Sequence, residues 1–322
     1  MLLRRVLLVC IALVALAGCT NAGGPSPVAT SPVATSPVSP SPVPAPQPPQ
    51  PETATAVPPG VVTKVLAFVI ENHSLAQMKA QMPSAFGLAS RFGYATRYTA
   101  IRHPSLPNYI AIVGGQTHGI TDDGDPSANA ITSGESVFGQ AIAAGKTAAV
   151  FADGMPRNCA TTSGGDDYAV KHNPWAYFTA ERALCQKFDV PVDDLAPAIT
   201  DGTLPNVGMV IPNLCNDAHN CPLGTADAWF SGWMERLFAG PDWASGHLAV
   251  VLTADENDNS PGNTVLTVVI HPSQKANVVT VPLTHYSLTM LFEDAAGVPR
   301  LFNAATAPSM SDAFGLPVGG RP

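Results

Sequence analysis

The sequence predicts an α/β protein whose mostly parallel sheet carries helices on both faces. Two observations lead there. Short apolar, β-branched runs recur at residues 64–70, 147–151, 207–211, 248–253 and 264–270. Near-continuous hydrophobicity in pieces this short fits strands buried on both faces. Between them lie stretches with helical character at 75–92, 108–113, 136–144, 175–188, 226–238 and 287–295. Strand alternating with helix builds a parallel sheet.

The first residues stand apart from this pattern. Arg4 and Arg5 precede an apolar run over 6–16, which closes on Leu16-Ala17-Gly18-Cys19. This reads as a secretory signal over 1–18, and its end resembles the lipobox of bacterial lipoproteins, in which Cys19 becomes the lipidated first residue of the mature chain. An ordinary signal peptide or a short anchor helix is the alternative, but the run is short for a membrane span. Residues 19–60 read as a tether: proline is dense, Ser-Pro-Val-Ala-Thr repeats at 26–30 and 31–35, and Glu52 is the only charge. Such a segment stays extended and builds no core. Residues 61–322 are long enough for one large domain.

The chain carries a net charge of −8; without Arg4 and Arg5, 14 basic residues face 24 acidic ones. That balance argues against a nucleic-acid backbone as partner but not against a phosphorylated substrate, because a bound cation inverts the local field. Of six cysteines, Cys159, Cys185, Cys215 and Cys221 fall in the domain. An even number in an exported domain suggests two disulfides, and three connectivities are open. A zinc site is the competing reading, and the spacings lack a Cys-x-x-Cys pair.

The strand ends carry the polar residues. The first run leads into Glu71-Asn72-His73, the second into Asp153, the third into Asn213, Asp217 and His219, the fourth into Asp255-Glu256-Asn257-Asp258, and the fifth into His271. In open α/β sheets ligands bind outside the carboxyl ends of strands. Each of these residues alone reads as a cap or a solvated turn; several together suggest a shared site. Glu71, Asn72, Asp255 and Glu256 would repel one another unless a cation sat between them. Such hard oxygen ligands suit one divalent metal, Mg²⁺, Ca²⁺ or Mn²⁺, with zinc not excluded.

The segment 101–121 supplies a nucleophile. Ser105 lies in a polar turn just ahead of a buried helix start, with Pro107 in its first turn and Gly114-Gly115 ending it. There, free N–H groups and the helix dipole favour an anion; the plain alternative is an N-cap serine. Asn108 lies one turn on. A hydroxyl coordinated to the cation would be acidified for attack on phosphorus. His219, between Cys215 and Cys221, is the candidate proton donor. His103, His172 and His285 are further candidates to contact phosphate or move a proton, and Lys171 beside His172 suits anion binding. His118, His247 and His271 read as structural. No Gly-x-Ser-x-Gly elbow, Walker loop, Gly-x-Gly-x-x-Gly or His-Glu-x-x-His is present.

With these residues assembled, the chain resembles the phosphoesterase branch of the alkaline-phosphatase-like superfamily, which includes bacterial acid phosphatases and phospholipases C. The residues that carry the resemblance are Glu71-Asn72-His73-Ser74, His103-Pro104-Ser105-Leu106-Pro107-Asn108-Tyr109, Lys171-His172-Asn173-Pro174, Pro212-Asn213 with Asp217 and His219, Asp255-Glu256, and Thr284-His285-Tyr286-Ser287. The segment from Ser105 to Tyr109, followed by Gly115 and His118-Gly119-Ile120, also looks like the nucleophile segment of nucleotide pyrophosphatases.

The resemblance implies a three-layer α/β/α sandwich and a phosphoserine intermediate on Ser105. Metal ligation would come from Glu71, Asn72, Ser105, Asp255 and Glu256, and phosphate orientation from His103 and Asn108. Lys171 and His172 would add to the phosphate pocket, His219 would protonate the leaving group, and His285 would complete the site. Two-zinc members of the superfamily use an Asp-His pair and more histidines; Asp255-Glu256 and Glu71-Asn72 favour one metal.

The expectation is a lipid-anchored, extracytoplasmic, metal-dependent phosphatase for phosphate monoesters with a mildly acidic optimum. It would be monomeric, with a small phosphorylated substrate, the membrane through its anchor, and no nucleic acid as partners. A phospholipase C or phosphodiesterase using the same site is one alternative. A non-catalytic surface lipoprotein that binds metal or phosphorylated ligands is the other.

Overall fold

The computed structural model describes residues 60–319. The expected signal, Cys19 and the tether up to residue 59 lie outside the described residues. Among the described residues, nine strands form one sheet: β1 (Lys64–Ile70), β2 (Gly93–Thr99), β3 (Ala148–Ala152), β4 (Asp189–Pro191), β5 (Val207–Ile211), β6 (Leu248–Ala254), β7 (Thr264–Ile270), β8 (Asn277–Val279) and β9 (Leu283–Thr284). Their order is β4-β3-β5-β1-β6-β7-β2-β8, with β9 also on β2. The central strands β5, β1 and β6 are parallel and buried almost throughout. Each large side chain they sink, Phe68 and Ile70 among them, contributes about 1.5–3 kcal/mol of hydrophobic stabilisation.

Helices Leu75–Gln81, Pro83–Arg91 and Leu223–Ala239 pack together on one face, and helices Ser105–Gly114, Val137–Ala143 and His285–Ala296 on the other. The fold is thus an α/β/α sandwich. Phe68 of β1 meets Phe230 edge to face at 5.2 Å. On the opposite face Thr289 Oγ1 donates to the carbonyls of Ala111 and Ile112 at 2.9 Å, tying its helix to the one that begins with Ser105.

Several elements differ from the sequence reading. Residues 75–92 form two helices, because Pro83 has no N–H to continue the first and instead opens the second. The stretch 175–188 is mostly 3₁₀ turns before the helix Arg182–Phe188; its Glu181 is buried and accepts from Ser136 N, Ser136 Oγ and Trp175 Nε1. Strand β2 is new, and it delivers the chain to the Ser105 turn. Strand β7 runs antiparallel to both β6 and β2. His271 therefore emerges at the opposite edge of the sheet from Glu71 and Asp255, where Nε2 lies 2.9 Å from the carbonyl of Gly246.

The cysteines pair as Cys159–Cys185 and Cys215–Cys221. Among the described residues, Cys159, Cys185 and Asp189 are the one group of three metal-ligand side chains close together, and its two sulfurs are bonded to each other. Among the described residues, no helix is long and apolar enough to cross a membrane.

Asp189 is fully buried at the start of β4, where both its oxygens accept from Asn173 Nδ2 at 3.0 and 2.9 Å. Burial pushes its pKa up from 3.8 to about 7, against the pull of Asn173 and Arg182. The folded protein therefore binds this proton more tightly than the unfolded chain does. The contribution is complete below the unfolded value and is lost as pH rises through the folded one. Chemical denaturation of the wild type and Asp189→Asn across this window should show the variant's stability curve flatter by up to about 1.4 kcal/mol per pH unit. Parallel curves would contradict this assignment.

Candidate active site

Strand pairing brings the carboxylates together. The β1–β6 register ends at Ile70 opposite Ala254, so Glu71 and Asp255 leave the sheet side by side, and Asp255 N donates to Ile70 O at 2.9 Å. Asn72 turns the chain in the left-handed region, with φ 54°. Its backbone N–H donates to Asp255 Oδ1 at 3.0 Å and its side-chain amide to Glu71 Oε2 at 2.9 Å. Glu71 and Asp255 are both fully buried, and Asp255 Oδ2 is a buried oxygen without a hydrogen-bond partner.

Ser105 is the first residue of its helix, after Pro104 at the N-cap. Its Oγ donates to Glu71 Oε2 at 3.0 Å. The serine is thus a member of the helix rather than its cap. Gly115 closes the helix with φ 64°, and a Cβ there would lie 2.5 Å from the carbonyl oxygen of Leu301; only glycine fits.

The electrostatics reflect crowded negative charge. Burial, then Asp217, raise the Glu71 pKa to about 8; burial, then Glu71, push Asp255 well up. Burial and Asp255 raise Glu256 to about 7. Lys171 is the nearby fixed cation: burial lowers its pKa, but Glu71 and Asp123 outweigh that and raise it.

The remaining expected site residues divide between mouth and interior. His219 is exposed in the Cys215–Cys221 loop, its ring 6.0 Å from that of His172. His103 is partly exposed and holds Glu256 Oε2 at 3.0 Å. His172 is almost fully buried, stacked on Tyr109 at 5.1 Å, with Nε2 3.1 Å from Glu71 Oε1 and Nδ1 3.2 Å from Asp217 Oδ2. Burial, then Lys171, hold its pKa well down. It sits beneath the carboxylates, not on an open phosphate pocket.

His285 is fully buried between the Tyr98 hydroxyl (3.1 Å) and the Asp255 carbonyl (2.5 Å), and burial lowers its pKa to about 4. It fixes the backbone of Asp255 and presents no ring nitrogen to a substrate. Asn108 likewise has its amide committed. Oδ1 accepts from Ile101 N and Arg102 N, and Nδ2 donates to Arg102 O, Pro104 O and Glu256 Oε2. It clamps the turn before Ser105 rather than reaching for phosphate. Glu256 Oε2 is engaged by His103 and Asn108.

Three further residues join the site. Tyr109 donates to Glu71 Oε1 at 2.8 Å. Asp217 accepts the Glu71 N–H through its carbonyl at 2.9 Å. Asp123 accepts from Leu106 N at 2.9 Å and from Lys171 Nζ at 3.1 Å. The sequence placed Tyr109 inside the nucleophile segment and Asp217 after a strand, but only their neighbours in space give them roles. Asp123 carried no signal beyond its place after His118-Gly119-Ile120.

A hydroxyl at a helix start thus faces paired buried carboxylates at the carboxyl edge of an α/β sheet. Residues 71–299 match the Phosphoesterase family. The chain is 30% identical over 266 residues to a phosphatidylinositol-3-phosphatase of Mycobacterium tuberculosis, covering 81% of this chain and 85% of that protein. It is 28% identical to a phosphate-repressible acid phosphatase of Penicillium chrysogenum, covering 64% of this chain and 52% of that one. An acid phosphatase of Aspergillus fumigatus is also 28% identical, over 66% and 50%; the chain spans about half the length of these fungal relatives.

In fold it is similar to an alkaline-phosphatase-superfamily protein from Vibrio parahaemolyticus, with TM-score 0.53 and 10% identity over 80% of this chain and 73% of that one. The chain belongs to the phosphoesterase family, and so to the hydrolases that act on phosphoric ester bonds.

Asn108→Ala strips the turn 101–104 of its side-chain partners. It should lower stability by about 1–3 kcal/mol in denaturant titration, more than His103→Ala, whose ring is partly exposed. Equal stability of Asn108→Ala and wild type would remove the clamp role.

Proposed function

We propose that the protein is a metal-dependent phosphomonoesterase of the acid phosphatase kind, working through a phosphoserine on Ser105. One observation carries the reading: Ser105 Oγ, Glu71 and Asp255 converge, and a buried Asp255 oxygen is left without a hydrogen-bond partner. Glu71, Asp255 and Ser105 Oγ, with the Asn72 amide oxygen and Glu256 as further donors, would make an all-oxygen set that fits one hard divalent cation, Mg²⁺, Ca²⁺ or Mn²⁺, with zinc admissible. Bound there, the cation would offset the paired carboxylates, acidify the serine hydroxyl and stabilise charge on the phosphoryl oxygens.

The protein's own groups do the rest. Ser105 Oγ gives its proton along the existing hydrogen bond to Glu71 and bonds to phosphorus as the bond to the leaving alcohol breaks. The leaving oxygen takes a proton from His219, which the short disulfide loop holds at the open mouth. Water then attacks the phosphoserine, releasing inorganic phosphate and restoring the serine. Leu106 N–H, next to the nucleophile at the helix start, and Lys171 Nζ, which answers the charge of Glu71 and Asp255, would serve as donors to phosphoryl oxygens. The name of the mycobacterial relative makes a phosphoinositide the first natural substrate to test. The two disulfides support an exported protein, and the lipobox-like Cys19 a lipid anchor.

The test uses the full chain with an aryl phosphate. Ser105→Ala should lower kcat by at least about 1000-fold, chelator should abolish wild-type turnover and added divalent metal should restore it. Acid quenching during turnover should trap phosphate on Ser105, read by peptide mass spectrometry. Activity that survives both treatments would overturn the mechanism, and a wild type inert towards mono- and diesters would leave a binding protein.

A further inference from the structure

Two donors of the site, the N–H of the residue after Ser105 and the ammonium that answers the charge of Glu71 and Asp255, are already occupied by a carboxylate of the chain itself. Leu106, next to the nucleophile, gives its N–H to Asp123 Oδ1 at 2.9 Å, and Lys171 gives Nζ to Asp123 Oδ2 at 3.1 Å. A helix start and an ammonium are what an incoming phosphate oxygen would seek. A substrate bound at Ser105 must therefore share these donors with Asp123 or displace it.

We propose that Asp123 is a specificity-determining charge filter: it makes the site prefer a phosphoryl group bearing one negative charge over one bearing two. The inference rests on the phosphoesterase reading above and adds to it the ionic form of the substrate.

The surroundings strengthen the filter. Glu256 and Tyr177 lie close enough to feel the charge of Asp123, as does the buried His172 beneath. Lys171 is the fixed cation against it, and Lys171 also answers to Glu71 and Asp255. On the same loop, Asp122 is tied to Gly124 N and Asn129, and Asp125 to Ser127. Both carboxylates point their charge into local turns, and neither brings a cation to the site. The cation proposed above would already be offset by Glu71 and Asp255, so on the Leu106–Lys171 side a second charge on the substrate meets the added carboxylate of Asp123 against Lys171 alone.

The titration that matters belongs to the substrate. A phosphate monoester loses its second proton near a pKa of about 6, so its monoanion gives way to the dianion between acid and neutral pH. A dialkyl phosphate keeps a single charge throughout. Asp123 in this way builds a preference for mildly acidic conditions into binding, without any protein group having to change its protonation.

The experiment compares full-length wild type, Asp123→Asn and Asp123→Ser. Asparagine keeps an oxygen to accept the Leu106 N–H, and the side chain of Asp123 is 31% exposed, so the fold should survive; equal melting temperatures check this. The readouts are KM for an alkyl monoester, glycerol 2-phosphate, and the inhibition constants of inorganic phosphate and dimethyl phosphate. They are taken at about pH 5.5 and about pH 7.5, on either side of the substrate's second ionisation.

In the wild type, KM and the phosphate constant should rise roughly tenfold over that interval, while dimethyl phosphate changes little. In both variants the rise should shrink to about two- to threefold, through tighter binding at the higher pH. An undiminished rise, or weaker phosphate binding by the variants at the higher pH, would overturn the filter. A wild type that turns over no phosphoester would instead sink the functional reading on which the filter stands.

Discussion

The parallel pairing of β1 with β6 is the constraint on which the site depends. Its register sets Ile70 against Ala254, so the two carboxylates that follow emerge as neighbours, and the ladder continues one step through Asp255 N to Ile70 O. Both strands are packed between two helical layers, and that register holds because a slip of one residue would misfit close-packed side chains of different size on both faces. The core thus bears the cost of holding two acids together. The left-handed turn at Asn72 bends the chain so that its N–H meets Asp255, and the strained backbone lies where the chemistry is placed.

Polar side chains packed around Glu71 and Asp255 keep this arrangement from relaxing. Tyr109 and His172 approach one side of Glu71, Ser105 and Asn72 the other. His285 holds the backbone of Asp255 from below. They come from several elements, so the helix that starts at Ser105, the 3₁₀ turn around His172 and the helix His285–Ala296 all report to one point. The site is positioned by packing of whole elements, not by a single loop.

What was legible in the sequence follows from these physics. Strands buried on both faces announce themselves by unbroken apolar runs, and β1, β5 and β7 begin and end where those runs do. Strand β2 alternates buried and half-exposed residues in Gly-Tyr-Ala-Thr-Arg-Tyr-Thr, so no apolar run marked it. The direction of β7 was invisible because a buried strand has the same composition either way round. The break at Pro83 was readable, and the sequence pattern overran it.

Among site residues, Glu71, Asp255 and Ser105 could be read from their places after strands and before a helix. The inward positions of His172, His285 and Asn108 could not, because a polar residue in a motif looks the same whether it faces substrate or supports a ligand. Asp123 depends on a loop closing back over the helix start, which local patterning does not encode.

The short Cys215–Cys221 ring carries more than His219. Inside it lies Asp217, whose carbonyl receives the N–H of Glu71 and whose carboxylate stands by His172. With the crosslink opened, that segment regains the conformational freedom that closure had removed, and the floor beneath Glu71 loosens. The six-residue crosslink and the end of the first strand are thus mechanically one unit: what tightens the ring also tightens the backbone at Glu71.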